Sequence, residues 1–244
     1  NYVLTRPKDY GFIGVENYKT LFADPVFWQG LKTTLIWTFW NVFFQAILGL
    51  AVAVLMNVDF KGRKLYRMVV FSPWAFGGMI VALVFSYMFT GQTGVINDLL
   101  VKSGLINERI AWLATGSRAR AVLIFTTTWR GIPFFAVSFL AALQSIPNDY
   151  YEAANVDGAS TIYQFMHITM PLIKNTVVLT TMLRTIWTFN IVDIIAGMTG
   201  GGPNNATMTL PMYLMNKFNL SLDIGYSSAM AAVMALILAV FAVI

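Results

Sequence analysis

The chain has 244 residues, of which 57% are hydrophobic and only 11% are charged, and its mean hydropathy is +0.66. Because an ordinary soluble domain is about 25% charged, this composition excludes a water-soluble globular enzyme and indicates a protein embedded in a bilayer. The chain has no Cys and a single His, His167, which excludes a disulfide framework and argues against a zinc or iron–sulfur centre. The net charge of +5 does not indicate nucleic-acid binding, because the basic residues are scattered along the chain. Their most concentrated run flanks an apolar stretch and indicates membrane topology.

Apolar stretches long enough to cross a bilayer as a helix, which needs roughly 20 residues, occur five times along the chain. The second stretch is interrupted by Ser72-Pro73 and Gly77-Gly78. These stretches predict an all-α polytopic membrane protein that forms a single transmembrane domain over residues 1–244. The spans are predicted at about 33–56, 68–89, 119–143, 175–198 and from 226 to the last residue.

The loop between the first two spans sets the orientation of the chain. It carries Lys61, Arg63, Lys64 and Arg67, and such a dense basic loop marks the cytoplasmic side. The segments that this orientation places outside also carry scattered basic residues, but the dense short loop decides the orientation. If the complete protein begins in the cytoplasm, an external start implies a further span before Asn1, which would make six in the full protein.

This orientation divides the chain into segments. The outer lead-in is expected to include a short interfacial helix, and the outer segment 94–112 is predicted to form an amphipathic helix and a turn. The segments are an outer lead-in at 1–30, spans one to three within 31–143, a cytoplasmic loop at 144–174, and spans four and five at 175–244, with 90–118 and 199–225 outside.

The cytoplasmic loop has the composition of two short helices joined by a turn. Pro147 suits the first turn of a helix, and Asp149 and Glu152 are placed where carboxylates favour the positive end of the helix dipole. Gly158 supplies a break in the backbone. A second amphipathic helix is predicted from about Ser160 to His167, ended by Pro171. The small side chains of Ala153, Ala154 and Ala159 would allow a partner to approach closely.

This loop resembles the EAA loop of permease subunits of binding-protein-dependent ABC importers. The resemblance is carried by Glu152-Ala153-Ala154, then Gly158, then Ile168-x-x-Pro171, with Met170 where the family usually has Leu. Three further stretches are similar to the carbohydrate branch of that family, on the side of the larger subunit of maltose permeases. They are Trp129-Arg-Gly-Ile-Pro-Phe134, Leu143-Gln-Ser-Ile-Pro147, and Thr199-Gly-Gly-Gly-Pro203 followed by Asn205-Ala-Thr207.

The resemblance implies that the loop binds in a groove of a cytoplasmic ATPase, with Glu152 available to a basic group there. The chain has no Gly-x-x-x-x-Gly-Lys-Ser/Thr phosphate-binding loop, so ATP and Mg are expected on the separate ATPase and no cofactor on this chain. His167 is expected to be a surface or docking residue. The residues expected to couple the chain to the ATPase are Glu152, Ala153, Ala154, Asp157, Gly158 and Ala159.

Three ionisable residues, Arg130, Arg184 and Asp193, fall within predicted spans, where a charge is costly unless it is paired or hydrated. Each arginine lies about 10 residues from a span end, which at 1.5 Å per residue is about 15 Å deep, near mid-membrane. Asp193 is nine residues from Arg184, on the opposite face of a helix, so the two cannot pair within that helix.

Helical spacing places aromatic and polar side chains on the faces of the two arginines. Planar donors beside aromatic rings suit a sugar, whose C–H face stacks while its hydroxyls take polar contacts. Gly131 and Pro133 are expected to loosen the third span beside Arg130, as in helices that line a cavity. In the alternative interpretation, both arginines pair with a carboxylate or carbonyls of a partner subunit. The predicted solute path comprises Arg130, Gly131, Phe134, Arg184, Trp187, Thr188 and Ile191.

The sequence therefore predicts the permease subunit of an ATP-driven importer for a sugar or related polyhydroxy solute in the cytoplasmic membrane, and not an enzyme. The resemblance implies a second homologous permease, two ATPase subunits and an external solute-binding protein as partners, surrounded by membrane lipid. One alternative is the same architecture carrying glycerol 3-phosphate or another anion, for which two buried arginines would be natural. Another is a secondary transporter or channel, for which Asp193 is the only candidate ion-relay carboxylate within a predicted span.

Overall fold

The structure, a computed structural model, describes residues 13–243. It is 76% helical, with no β-strand among these residues, as the sequence predicts. Residues 1–12 of the predicted outer lead-in lie outside the described residues, and the rest of that segment includes a short helix. The helices are α1 (Glu16–Ala23), α2 (Pro25–Asn57), α3 (Arg63–Phe71), α4 (Gly78–Met88), α5 (Val95–Lys102), α6 (Gly116–Gln144), α7 (Asp149–Val156), α8 (Thr161–Gln164), α9 (Met170–Phe189), α10 (Asp193–Met198), α11 (Leu210–Leu220) and α12 (Ile224–Val243).

Three of the described helices, α2, α6 and α12, are long and apolar enough to cross a membrane alone. A fourth span is formed if α3 and α4 count as one, and this pair is bent by 99°. The bend lies where the sequence predicts an interruption, because Ser72–Ala75 form a 3-10 helix and Gly77 follows it. Proline in such a segment cannot donate a backbone hydrogen bond, so a straight helix ends there.

The fourth predicted span differs from the expectation, because a continuous helix over 175–198 is not formed. The helix α9 ends at Phe189, and α10 begins at Asp193. The Asn190 side chain donates to the carbonyl of Ile186 at 2.9 Å, and Asp193 Oδ1 accepts from the Ile194 N–H at 2.9 Å. Side chains of this type compete with the helical backbone for its hydrogen-bonding groups and favour a break. The sequence prediction of one unbroken helix here is wrong.

The third predicted span is continuous. The helix α6 runs from Gly116 to Gln144 through Pro133, with no interruption in its helical backbone. The prediction that Gly131 and Pro133 loosen this span is therefore wrong for the backbone, which stays helical through both residues. Both residues are buried, so neighbouring side chains pack tightly around this part of the helix.

The chain divides into two compact units. The first consists of the described parts of residues 1–40, 78–126 and 186–244, in which α4 packs on α10, and α1 and α11 pack on α12. The second consists of residues 41–77 and 127–185. Its core brings together the C-terminal parts of α2 and α6, where Met56, Phe135 and Phe139 are almost completely buried.

The segment 94–112, in the first unit, contains the predicted short helix and turn. The helix α5 is followed by a loop that folds back on the buried side chain of Asn97. Asn97 Nδ2 donates to the carbonyls of Gly91 at 2.8 Å and Ile110 at 2.9 Å, and its Oδ1 accepts from Trp112 Nε1 at 3.0 Å. Because one buried amide satisfies groups from three parts of the segment, it fixes the shape of the segment.

Candidate coupling loop and solute site

The first helix of the predicted cytoplasmic loop is formed, but Pro147 lies before this helix and not in its first turn, where the sequence analysis placed it. The helix α7 begins at Asp149, directly after Pro147 and Asn148, and places Asp149 and Glu152 in its first turn. Both carboxylates are exposed, where they favour the positive end of the helix dipole and remain available to a partner.

The turn after α7 depends on Gly158, which has φ +74° and no other group within 4 Å of the position of a Cβ. The Gly158 N–H donates to the Asn155 carbonyl at 3.1 Å, and the Ala159 N–H donates to the Ala154 carbonyl at 2.9 Å. These bonds satisfy the last carbonyls of α7 and reverse the chain. A side chain at Gly158 would be strained because L residues rarely adopt this backbone conformation, even though there is space for it.

The second helix of the loop differs from the prediction at its end. Ser160 caps α8, and the chain then continues through a π-helix, Phe165–Thr169, directly into α9. Pro171 therefore lies in the first turn of α9 and does not end the helix, so the predicted end at Pro171 is wrong. In the wider π turn the Met170 N–H bonds to the Phe165 carbonyl, and proline is tolerated in the first turn of the α-helix that follows.

Two side-chain pairs that the sequence reasoning missed hold α7 against the segment that follows the turn. Gln164, which is buried, donates through Nε2 to Asn155 Oδ1 at 2.7 Å and to the Ala159 carbonyl at 2.9 Å. The Tyr151 hydroxyl bonds to the Thr169 hydroxyl at 2.9 Å. In the sequence, Gln164 is a lone polar residue in an amphipathic segment, and nothing there distinguishes it from a surface residue. These bonds make the two helices one braced element.

The braced element presents an open cleft of about 660 Å³. Five of the six predicted coupling residues are among those that line it: Ala153, Ala154, Asp157, Gly158 and Ala159. Glu152 is exposed and is not among the lining residues. Next to the cleft, Val156 is 89% exposed and Ile162 is 78% exposed. These two side chains, at the end of α7 and in the first turn of α8, form an uncovered apolar surface beside the cleft.

His167 is exposed and stacks on Tyr163, with ring centroids 4.0 Å apart and planes 14° from parallel. Its Nδ1 hydrogen-bonds to the Tyr163 carbonyl at 3.1 Å. The His167 ring therefore packs along the exposed face of the second helix of the loop.

Four of the predicted solute-path residues, Arg130, Gly131, Phe134 and Arg184, come together in the second unit. Arg184 is 8% exposed, and its guanidinium carbon lies 5.8 Å from the centroid of the Phe134 ring. Arg130 directly precedes Gly131, whose Cβ position would lie 2.5 Å from Arg184 Nη2, so the two arginines approach each other along α6 and their positive charges repel. The structure thus brings together a buried arginine, Arg184, a half-buried arginine, Arg130, and the half-buried ring of Phe134.

The site also contains Gln45, which the sequence reasoning missed because it lies in α2, far from both arginines along the chain. Gln45 is completely buried and accepts at Oε1 from Arg184 Nε at 2.6 Å. Its Nε2 donates to the carbonyl of Thr127 at 3.1 Å. Because both ends of the amide are engaged, Gln45 fixes the position of the Arg184 guanidinium.

Gly131 has a different role from the one expected of it. A Cβ at Gly131 would overlap the Gln45 side chain and would lie 2.5 Å from Arg184 Nη2. The glycine lets the Gln45–Arg184 pair lie directly against α6, so it provides close approach and does not loosen the helix.

The remaining predicted path residues, Trp187, Thr188 and Ile191, lie in the first unit. Trp187 is 50% exposed, whereas Thr188 is buried and its carbonyl accepts from Trp37 Nε1 at 3.3 Å. Ile191 lies beyond the end of α9, so the helical spacing that grouped it with Arg184 does not apply. Their place in a solute path stays a prediction.

Asp193 has a local structural explanation. Its carboxylate lies against Gly78, at the first residue of α4, where any Cβ would overlap it. It also accepts from the Ile194 N–H at the start of α10. A carboxylate at a helix N-terminus is favoured by the helix dipole.

A second charged cluster in the first unit, centred on Asp24, was also missed by the sequence reasoning. Asp24 Oδ2 accepts from the hydroxyls of Tyr213 at 2.5 Å and Tyr226 at 2.6 Å, and its Oδ1 accepts from the Val26 N–H at 2.9 Å. The Lys217 ammonium lies 5.4 Å from the centroid of the Tyr213 ring. Burial opposes ionisation of Asp24, but these hydrogen bonds and Lys217 outweigh it and lower the pKa of Asp24. Burial and the bond to Asp24 raise the pKa of Tyr213 to about 12.

Comparison with known proteins extends these observations to the whole chain. Residues 22–244 match the family model described as binding-protein-dependent transport system inner membrane component. The chain is 40% identical over 223 residues to the sulfoquinovosyl glycerol transport system permease protein SmoG of Agrobacterium fabrum. This alignment covers 91% of this chain and 72% of SmoG. It is 36% identical over 220 residues to the trehalose/maltose transport system permease protein MalF of Thermococcus litoralis, covering 90% of this chain and 74% of MalF.

A solved structure is similar over almost the whole chain. It is the crystal structure of a bacterial ABC transporter involved in the import of the acidic polysaccharide alginate, with a TM-score of 0.87 and 25% identity, covering 96% of this chain and 82% of that one. The family match extends across both units, and the membrane-spanning helices agree with a multi-pass protein of the inner membrane. The chain therefore belongs to the family of inner-membrane components of binding-protein-dependent transport systems, and it is an ABC-transporter permease subunit, a transport component and not an enzyme.

Proposed function

We propose that this chain is the permease subunit of an importer for a sugar or a related polyhydroxy solute. The proposal is supported by the relatives whose names specify sulfoquinovosyl glycerol and trehalose or maltose as transported solutes. The observation that carries it is the braced helix–turn–helix of residues 149–169 in a chain of the binding-protein-dependent family.

The helix–turn–helix is the coupling element, and it faces the cytoplasm. Its exposed Val156 and Ile162, and the open cleft bordered by Ala153 and Ala154, fit a groove on an ATPase subunit. The exposed Glu152 carboxylate is available to a basic group of that subunit. ATP and Mg bind to the ATPase, and this chain contributes the contact that transmits the closure of the ATPase pair.

The assembled importer contains a second homologous permease, two ATPase subunits and an external solute-binding protein. The family description, which names binding-protein-dependent transport, supports the solute-binding protein. Closure of the ATPase pair moves the coupling loops, and the permease helices alternate between outward and inward access. Within the second unit, Arg130, Phe134 and Arg184 contact the solute, and Gly131 lets the Arg184 guanidinium lie against α6.

The test compares two glycines with the same backbone conformation. Gly158 and Gly104 both have φ +74° and no other group within 4 Å of a Cβ position, but only Gly158 lies in the coupling loop. We expect Gly158→Asp to abolish ATP-dependent uptake by complexes reconstituted with ATPase and binding protein, because it puts a strained, charged side chain at the docking turn. The matched variant Gly104→Asp carries the same backbone strain and should leave uptake close to wild type.

Two measurements accompany uptake: the amount of ATPase that co-purifies with the permease, and the stimulation of ATP hydrolysis by loaded binding protein. Gly158→Asp should lower one of them while the permease still accumulates in the membrane. Wild-type association, stimulation and uptake in Gly158→Asp would show that the loop does not couple the chain to an ATPase.

A second candidate solute class is an anion, such as glycerol 3-phosphate. The specific observation in its favour is the pair of neighbouring arginines, because guanidinium groups bind phosphate and carboxylate with well-defined geometry.

A further inference from the structure

Within the second unit, no carboxylate is placed to compensate the two arginines. The unit has four carboxylates, those of Asp59, Asp149, Glu152 and Asp157, and all four are exposed in the segments 57–62 and 149–158. Asp59 pairs with Arg63, the first residue of α3. None of the ion pairs found among residues 13–243 includes Arg130 or Arg184. A buried cation without an anion is costly, so the arrangement requires another explanation.

The Arg184 guanidinium uses only part of its donor capacity. Its Nε–H donates to the neutral Gln45 amide, and the Phe134 ring lies under the group at 5.8 Å. No hydrogen bond from its Nη atoms is formed with any of the described residues, although the residue is only 8% exposed. Arginine presents five donors in a planar fork, so the fork here is oriented through Nε while its outer edge remains available.

Arg130 has a similar deficit. Its Nε is buried and has no hydrogen-bond partner within the part of the chain that the structure describes. Because α6 brings Arg130 close to Arg184 and the two charges repel each other, an anion is the group that compensates both. A neutral sugar hydroxyl can accept a hydrogen bond, but it leaves that repulsion uncompensated.

From these observations we propose that the solute site of this subunit binds an acidic saccharide, whose carboxylate or sulfonate is held by Arg184 and Arg130. The Phe134 ring contacts the apolar face of the sugar, and Gln45 is a positioning residue that orients the Arg184 fork. This inference rests on the proposed function and deepens it, because it names the charge of the solute.

The test measures the ligand preference of the membrane complex in the absence of the binding protein. The complete transporter complex is purified in lipid nanodiscs without binding protein, and equilibrium binding of radiolabelled methyl glucuronide is compared with that of methyl glucoside. The two glycosides differ only at C6, which is a carboxylate in the glucuronide and a hydroxymethyl group in the glucoside. We expect about tenfold or greater preference for the glucuronide, the effect of one charge-assisted hydrogen-bonded pair.

Gln45→Glu is the sharpest variant, because it is nearly isosteric and supplies the carboxylate that the site lacks. It should pair with Arg184, preserve the fold, and lower glucuronide binding about tenfold while glucoside binding changes little. Arg184→Gln should also remove the preference. The matched control is Arg118→Gln, which removes an exposed positive charge from the same helix, α6, that carries Arg130, and it should keep the preference.

Equal binding of both glycosides, binding of neither, or a wild-type preference in Gln45→Glu would overturn the acidic-saccharide proposal. Two results together would show that Arg184 binds a partner subunit instead. The yield of assembled Arg184→Gln complexes would fall, and the complexes that do assemble would keep the wild-type preference for the glucuronide. ATP-dependent uptake of a neutral saccharide, measured with binding protein present, would leave the proposed function intact while this inference fails. Absence of uptake of any saccharide, neutral or acidic, would instead contradict the proposed function.

Discussion

The Asp24 cluster and the Arg184 cluster are both built around one buried or half-buried charge, but they differ in how completely that charge is satisfied. Asp24 accepts three hydrogen bonds from within its own unit and has Lys217 nearby. Arg184 has one neutral partner at Nε and a like charge as its neighbour. A charge with all its partners in the chain stabilises the fold, whereas one with available donors can bind something else. The following variants test that distinction.

The largest effect is expected from Arg184→Ala. We expect uptake to fall at least tenfold, because the variant removes the main donor group of the solute site, while assembly with the partner subunits is retained. Uptake and complex recovery are measured on the same preparations, and Trp187→Ala is measured in parallel as a second residue of the predicted path. If both variants assemble and transport with unchanged selectivity, Arg184 is a structural charge like Asp24 and the distinction fails.

Gly131→Ala tests whether the position of the Arg184 fork matters. The added Cβ would displace the Gln45–Arg184 pair, so we expect a several-fold loss of uptake and a loss of about 1–3 kcal/mol in stability from overpacking. Thermal denaturation and uptake are compared with Gly77→Ala, where no other group lies within 4 Å of the Cβ position. Unchanged transport in Gly131→Ala would show that the fork does not need its present position.

Asp24→Asn tests the satisfied charge. Because the folded pKa of Asp24 is lowered, its contribution to stability is present above its unfolded pKa and is lost as pH falls through the folded pKa. The wild type should therefore lose stability relative to Asp24→Asn between about pH 5 and about pH 2, and the variant should be less stable by about 1–2 kcal/mol near neutral pH. The measurement is thermal denaturation across this range. Transport per assembled complex should not change, and a selective loss of transport would contradict the structural role.

The smallest effect is expected from Tyr213→Phe, which removes one of the hydroxyl donors to Asp24 and leaves the ring in place. We expect a loss of about 1 kcal/mol in stability near neutral pH. Because the pKa of Tyr213 is raised to about 12, the wild type should also lose this advantage as pH rises from about 10 towards 12. Tyr87→Phe, at a 67% exposed position, is the control and should match the wild type. Equal stability of the two variants would mean that Asp24 does not need this donor.

Local chemistry was sufficient to predict the helix and turn of residues 149–158. Asp149 and Glu152 mark the start of α7, and Gly158 marks its turn, because helix dipoles and left-handed backbone conformations select these residue types. The same reasoning failed at Pro171, since a π-helix directly before it allows the helix to continue. It failed again at Asn190, where side-chain hydrogen bonds break a helix that apolar composition alone predicts to be continuous.

The sequence by itself determined the membrane-spanning character and the helical fold, because these follow from composition and periodicity along the chain, and its short motifs identified the family by resemblance. Only the tertiary structure decided which charges are satisfied. Gln45 is 139 residues from Arg184, and Asp24 is 189 residues from Tyr213. Hydrogen bonds of a few ångströms between such distant residues depend on how the helices pack, and no local pattern in the sequence encodes that packing.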